Sequence, residues 1–160
     1  MLFGIKDLMV SAKGLHEAMS QKNVEDIEGY FKYFLSCFGC KLHVAKVSYY
    51  QTLFKMAMAM ANQPLIIEEP FGGGPIDASV DIPGIGVFIV EMKYLKAEIT
   101  DTEDKVSEDL NKLSLEAMRQ IDYNGYALKY YYQDKKIYKM ALVVYKRTRV
   151  KAVIKEEIQK

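Results

Sequence analysis

The segment that most constrains this chain is "GGGPIDASVDIPGIGVFIVEMKY", residues 72–94. In "IDASVDI" the apolar residues Ile76, Ala78, Val80 and Ile82 alternate with Asp77, Ser79 and Asp81, which gives a strand one apolar and one polar face. "PGIG" supplies a turn, and "VFIVEMK" reads as the returning strand. That strand runs straight from an apolar stretch into Glu91 and Lys93, two residues apart and therefore on one face. Charge at the end of a buried strand is costly unless something pairs with it, so this hairpin either makes an ion pair or holds a site. Whether Asp77 joins that face depends on register. A three- or five-residue connection sets Asp77 opposite Glu91, whereas a four-residue loop over residues 83–86 sets it opposite Met92.

The elements around the hairpin decide the fold class. "NVEDIEGYFKYFLSCF" places Val24, Ile27, Tyr30, Phe31, Phe34 and Leu35 at helical spacing behind an Asn23 cap. A second helix over about 46–61 is apolar nearly all round, which implies burial against more than one neighbour. "PLIIEE" reads as a short strand, and "PFGGGP" as a turn: it lacks the Lys-Ser/Thr and the following helix of a phosphate-cradling loop. After the hairpin, an acidic run from Glu98 to Asp109 suits a solvated loop and the first turns of a helix. That helix carries Val106, Leu110, Leu113, Ala117 and Ile121 as its stripe, stops at Asn124-Gly125, and leaves Gln120 beside the stripe. "KIYKMALVVY" is a further strand, "KRTR" a turn and "VKAVI" a short final strand. The order is helix, helix, three strands, helix, two strands, and the expected class is mixed α/β with a sheet flanked by helices.

At 160 residues, half of them hydrophobic, the chain is the size of one domain. There is no basic run leading into a long apolar stretch, and the longest apolar helix contains Lys55 and is too short to cross a bilayer, so a soluble, cytoplasmic protein is expected. Cys37 and Cys40 form a C-x-x-C with His43 close behind, but they follow a helix rather than precede one, the wrong pole of the dipole for a reactive thiol. A zinc site would have to recruit the remote His16, and the cysteines read as buried thiols.

Two readings of the charged strand end stand side by side. Asp77 and Glu91 supply hard oxygen ligands suited to Mg²⁺ or Mn²⁺, with Lys93 placed to stabilise negative charge on a phosphodiester. Alternatively, Glu91 and Lys93 simply neutralise each other. The formal net charge of +1 neither announces nor excludes a nucleic-acid partner. From Lys129 to Lys155, however, nine basic residues face only Asp134, interleaved with tyrosines. Lys135, Lys136, Arg147 and Arg149 are the candidate phosphate contacts, against the alternative of a solvated, lysine-blunted sheet edge.

Five stretches taken in order, "SYYQTLF", "GGGPIDASVDI", "VFIVEMKY", "EAMRQIDYNGYA" and "KKIYKMALVV", resemble the PD-(D/E)xK nuclease superfamily, in particular a bacterial branch found C-terminal to an AAA-ATPase-like domain. The resemblance spans roughly residues 15–154. It implies a restriction-endonuclease-like αβββαβ core over 46–155 behind a helical extension over 1–45 with one extra helix. It further implies that Asp77 and Glu91 bind Mg²⁺ or Mn²⁺, that Lys93 assists the attacking water, and that Gln120 lines the site with Tyr126 as its motif partner. Asp77 matches the motif better than Asp81, which is then a solvated hairpin residue. The implied activity is metal-dependent phosphodiester hydrolysis, on DNA ahead of RNA, with a separate ATPase-like protein as an implied partner and a homo-oligomer left open. Many relatives carry an acid just before the paired aromatics of the first core helix, where this chain has Val47 and Ser48. That departure motivates the alternative of a catalytically inactive module that keeps the fold and binds nucleic acid or a protein.

Overall fold

The computed structural model describes residues 4–39, 42, 44–61, 65–66 and 78–158. Among them the elements run α1 (Ile5–Ser20), α2 (Val24–Ser36), α3 (Val47–Met60), β1 (Leu65–Ile66), β2 (Ala78–Ile82), β3 (Gly86–Leu95), α4 (Glu103–Tyr123), β4 (Ile137–Tyr145) and β5 (Arg149–Glu157). The five strands lie side by side in chain order, and every neighbouring pair is antiparallel except β3 and β4, which are parallel. A parallel pair cannot be closed by a tight turn, so the chain has to cross one face of the sheet, and α4 is that crossover. This is the mixed α/β, restriction-endonuclease-like architecture expected from the sequence. No helix among the described residues is long and apolar enough to span a membrane.

The β2–β3 turn takes three residues, with Ile82 opposite Gly86. Gly84 sits at φ +80° and Gly86 at φ +150°, backbone that an L side chain rarely adopts. A Cβ on Gly86 would also meet the Lys136 carbonyl oxygen at 2.5 Å, so this glycine lets the segment entering β4 pass close. The register runs to Ala78 opposite Val90. Of the alternatives read from the sequence, this is the three-residue connection; Asp77 itself lies outside the described residues.

The two faces of the sheet are covered differently. On one, α1, α2 and α3 pack with Ala78, Val80, Ile82, Phe88, Val90, Met92, Met140, Leu142 and Val144 into a single continuous core. On the other, α4 and the segment after it form two smaller clusters. One contains Val87, Ile89, Ile121, Tyr126, Tyr130 and Ile137, the other Val106, Leu110, Val143 and Tyr145. Thr102 caps α4 by accepting the Lys105 N–H at 3.2 Å, and Glu103 and Asp104 fall in its first turn, as the acidic run predicts.

Some expectations change. Two helices, not one, precede the core. The buried face of α1 is built largely from Ser11, Ala12 and Ala18 around Leu15 and Met19, so its apolar stripe is faint in sequence. Gly14 on this helix lets the Tyr30 ring of α2 approach to where a Cβ would be 2.3 Å away. The final strand is nine residues long rather than a short extension. It forms the end of the sheet, where the Ala152 N–H donates to Glu28 Oε2 of α2 at 3.1 Å. Asp81 is a half-buried ion-pair partner of Lys135 rather than a solvated residue. Cys37 is half-buried at the end of α2, and burial, ahead of a smaller opposing hydrogen bond, raises its thiol pKa, as expected of an inert cysteine. The other cysteine-motif residues, Cys40 and His43, lie outside the described residues.

Candidate active site

Glu91, Lys93 and Gln120 come together on the α4 face of β3. Strand alternation sends Ile89, Glu91, Lys93 and Leu95 to this side, while Val90 and Met92 join the large core opposite. Glu91 is 3% exposed, and its Oε2 is screened from solvent. Lys93 Nζ lies 3.9 Å from Glu91 Oε1 and donates to Gln120 Oε1 at 2.5 Å. The Lys93 side chain keeps 28% of its surface exposed, so the group opens to solvent at the lysine and closes at the glutamate.

The site occupies the gap between the two apolar clusters. Along the buried stripe of α4, Ser114 and Ala117 separate Leu110 from Ile121, and Ala141 of β4 is in register with Glu91. These small side chains leave room for a carboxylate where a larger aliphatic residue would fill the layer. Gln120, which the sequence left beside the stripe, is half-buried and turned toward Lys93. Tyr126, its motif partner, is instead buried in the apolar cluster beneath the end of α4, where its hydroxyl accepts from Asn124 Nδ2 at 2.7 Å.

Further along the same face lies a second charged group that the sequence did not single out. Lys139, counted there among the basic residues of the last strands, is 4% exposed and pairs with Asp122 at 2.5 Å and Glu157 at 2.8 Å. Burial pulls its pKa down, but the hydrogen bonds it donates to both carboxylates outweigh it and the net shift is upward. Burial likewise raises the Glu157 carboxyl, and its bonds to Lys139 and Tyr131 outweigh that to leave it lowered. The available signal was a lysine in the middle of the otherwise apolar "IYKMALVVY".

The four candidate phosphate contacts divide into two groups. Lys135 and Lys136 precede β4, whereas Arg147 and Arg149 follow it, roughly 30 Å away at about 3.3 Å per strand residue. Each has a protein partner: Lys135 with Asp81, Lys136 with Glu156 at 3.8 Å, Arg147 with the Phe38 carbonyl at 3.4 Å, and Arg149 with Glu103 at 3.4 Å and Ser107 at 3.1 Å. Acids outside the run thus pair with three of the four, and Arg147 meets a neutral carbonyl. Of its tyrosines, Tyr130, Tyr138 and Tyr145 are core residues and Tyr132 is 96% exposed.

With this geometry in place, the comparison with known families is decisive. A model of the PD-(D/E)XK nuclease superfamily matches residues 48–154. The chain belongs to that superfamily. The matched segment begins in α3, contains Glu91, Lys93 and Gln120, and ends in β5. No curated protein and no solved structure matches the chain.

Superfamily members generally use divalent metal ions. A hard cation of that kind takes six or more oxygen ligands. Among the described residues Glu91 offers a carboxylate of the right chemistry, but no group of three or more His, Cys, Asp or Glu side chains is assembled. The first turn of α3 adds no acid, since Val47 and Ser48 open the helix. The donor set therefore fits an ion only with Asp77, which lies outside the described residues, and with backbone or water oxygens.

Proposed function

We propose that this chain is a divalent-metal-dependent nuclease that hydrolyses phosphodiester bonds, with DNA as its substrate ahead of RNA. The observation that carries the reading is the convergence of Glu91, Lys93 and Gln120 within the family-matched segment. Glu91 and Asp77 would hold the ion, Mg²⁺ or Mn²⁺, which would supply Lewis-acid polarisation of the phosphodiester and a lowered pKa for bound water. Lys93 presents its ammonium to the charge that grows on the non-bridging oxygens as water attacks phosphorus and the bond to the leaving oxygen breaks. Gln120 has its carbonyl oxygen committed to Lys93, which turns its amide N–H groups outward as donors for the water or a phosphate oxygen. Of the basic candidates, Arg149 is held on the α4 face that carries Lys93, by Glu103 and Ser107 of α4, and pairs with Tyr145, which is in register with Leu95. It is the first choice for a backbone phosphate contact.

The test is cleavage of labelled duplex DNA, single-stranded DNA and RNA with Mg²⁺ or Mn²⁺, comparing wild type with Glu91→Gln and Lys93→Ala. Metal-dependent cleavage lost in Glu91→Gln and cut at least about a hundredfold in Lys93→Ala is the expected result; equal cleavage by all three proteins refutes the assignment.

One observation favours a second reading, a binding module that keeps the fold without chemistry: the first turn of α3 carries no acid. Calorimetric titration with Mn²⁺ separates the two. One-site binding lost in Asp77→Ala supports the nuclease, and nucleic-acid binding indifferent to Mn²⁺ supports the module.

A further inference from the structure

The last turn of α4 is held to the sheet from both sides. Gln120, Ile121 and Asp122 are consecutive, and successive helical residues are about 100° apart, so Gln120 and Asp122 flank Ile121. Ile121 points into the sheet, packed in the cluster that contains Val87, Ile89 and Ile137. On one flank, Lys93 of β3 donates to Gln120 at 2.5 Å; on the other, Lys139 of β4 donates to Asp122 at 2.5 Å. The two lysines do not share a row. Lys139 is in register with Ile89, and Lys93 with Val143.

We propose that Lys139 is a positioning residue for the active site, fixing the roll of the last turn of α4 so that Gln120 meets Lys93; its catalytic meaning rests on the nuclease reading above. Two features make it suited to that role. Its amine is anchored independently of α4, because Glu157 at the end of β5 pairs with it at 2.8 Å and is itself held by the Tyr131 hydroxyl at 3.0 Å. The helix also ends just beyond, where the chain turns at Gly125 with φ +64°, so Gln120 lies in its last turn, closed by the Asn124 N–H on its carbonyl at 3.0 Å. Packing alone does not call for a charge at position 139, since an apolar side chain of similar length can fill a buried lysine's space at little cost.

The experiment follows the side-chain amide signals of Gln120 by nuclear magnetic resonance in the ¹⁵N-labelled, metal-free chain. Lys93→Met provides the position of a Gln120 that has lost its lysine. In Lys139→Met and Asp122→Ala the signals are expected to move toward that position, and in Lys139→Arg to stay near wild type. Gln120 signals at the wild-type position in Asp122→Ala overturn the proposal. The Asp122 side chain is 58% exposed, so this variant keeps the test valid should Lys139→Met fail to fold. In the cleavage assay Lys139→Met and Asp122→Ala are expected to lose kcat about tenfold with KM unchanged, the pattern of a misplaced group, and Lys139→Arg to stay near wild type. The resonance readout needs no substrate. Absence of cleavage in wild type therefore refutes the nuclease reading alone, and unmoved Gln120 signals refute the positioning role alone.

Discussion

The two faces of the sheet solve opposite problems. Toward α1, α2 and α3, the strands present an unbroken apolar surface, and aromatic side chains such as Phe31 and Phe54 meet edge to face at 5.9 Å. Toward α4 the apolar layer is broken in two, and the strands carry Ser79, Glu91, Lys93 and Lys139 in positions that would ordinarily hold Val or Leu. Each of these has a partner: Ser79 shares a hydrogen bond with the Tyr130 hydroxyl at 2.5 Å, Lys93 meets Gln120 and Glu91, and Lys139 meets two carboxylates. The three-helix side supplies stability; the α4 side uses part of it to keep polar chemistry in place. A crossover helix is suited to this, because its own stripe can alternate large anchors with small residues over the site.

That contrast can be broken first on the three-helix side. Phe54→Ala is expected to cost about 3–5 kcal/mol of stability by urea unfolding, through lost burial and the cavity left behind. At temperatures where the variant stays folded, Mn²⁺ affinity is expected to match wild type. A large loss of metal binding in the folded variant would mean the faces are not independent.

On the α4 side the effects should fall on chemistry. Lys93→Ala is expected to lower cleavage by about 100- to 1000-fold, the usual loss for one stabilising donor, with an unfolding midpoint close to wild type. Gln120→Ala comes next, about 10- to 100-fold, since it acts on Lys93 and on the water or phosphate rather than on the metal. If Gln120→Ala proved the more damaging of the two, the amide would be the principal contact to substrate and Lys93 its support.

The smallest effect sharpens the comparison through pH. Glu157 and Asp101 both have lowered pKa values: Glu157 because its bonds to Lys139 and Tyr131 outweigh burial, Asp101 chiefly through the Glu98 N–H and the Tyr145 hydroxyl. A carboxylate with a lowered folded-state pKa contributes stability that is whole above its ordinary value and drains as pH falls through the lowered one. The loss should therefore appear below about pH 4.5 for Glu157 and below about 3.8 for Asp101. Both groups brace the α4 side, whereas Asp7, lowered chiefly by the Tyr33 hydroxyl, ties α1 to α2, so acid should loosen the α4 side first between about pH 4.5 and 3.8, where Glu157 drains ahead of the two aspartates. In Glu157→Gln the acid slope should flatten, because that position no longer takes up a proton on unfolding in acid. Equal loss of protection on both faces in hydrogen exchange at about pH 4 would contradict this.

Local patterns carried much of this fold. Helical spacing gave α2, α3 and α4 because their buried residues are large, and period-two alternation gave the hairpin. α1 escaped because alanine and serine bury as readily as leucine when a partner helix comes close, and such a face has little contrast in sequence. At the site, Glu91 and Lys93 were legible from strand geometry, and Gln120 from the family motif. What no local pattern holds is the meeting of residues 93 and 120, or of 139 with 122 and 157, because these contacts exist only once the crossover has closed. The same is true of the basic residues. Lys135 and Arg149 look unbalanced in the linear sequence and find Asp81 and Glu103 in the folded chain.

The hydrogen bond from Ala152 to Glu28 bears on how the molecule behaves in a crowd. A nine-residue end strand offers its outer backbone groups to any extended segment nearby, and such edges seed runaway association. Glu28 occupies one of those groups near the middle of the strand and sets a negative charge there, so an incoming chain would have to displace a carboxylate before it could add a rung. One glutamate on a helix thereby helps keep this sheet at five strands.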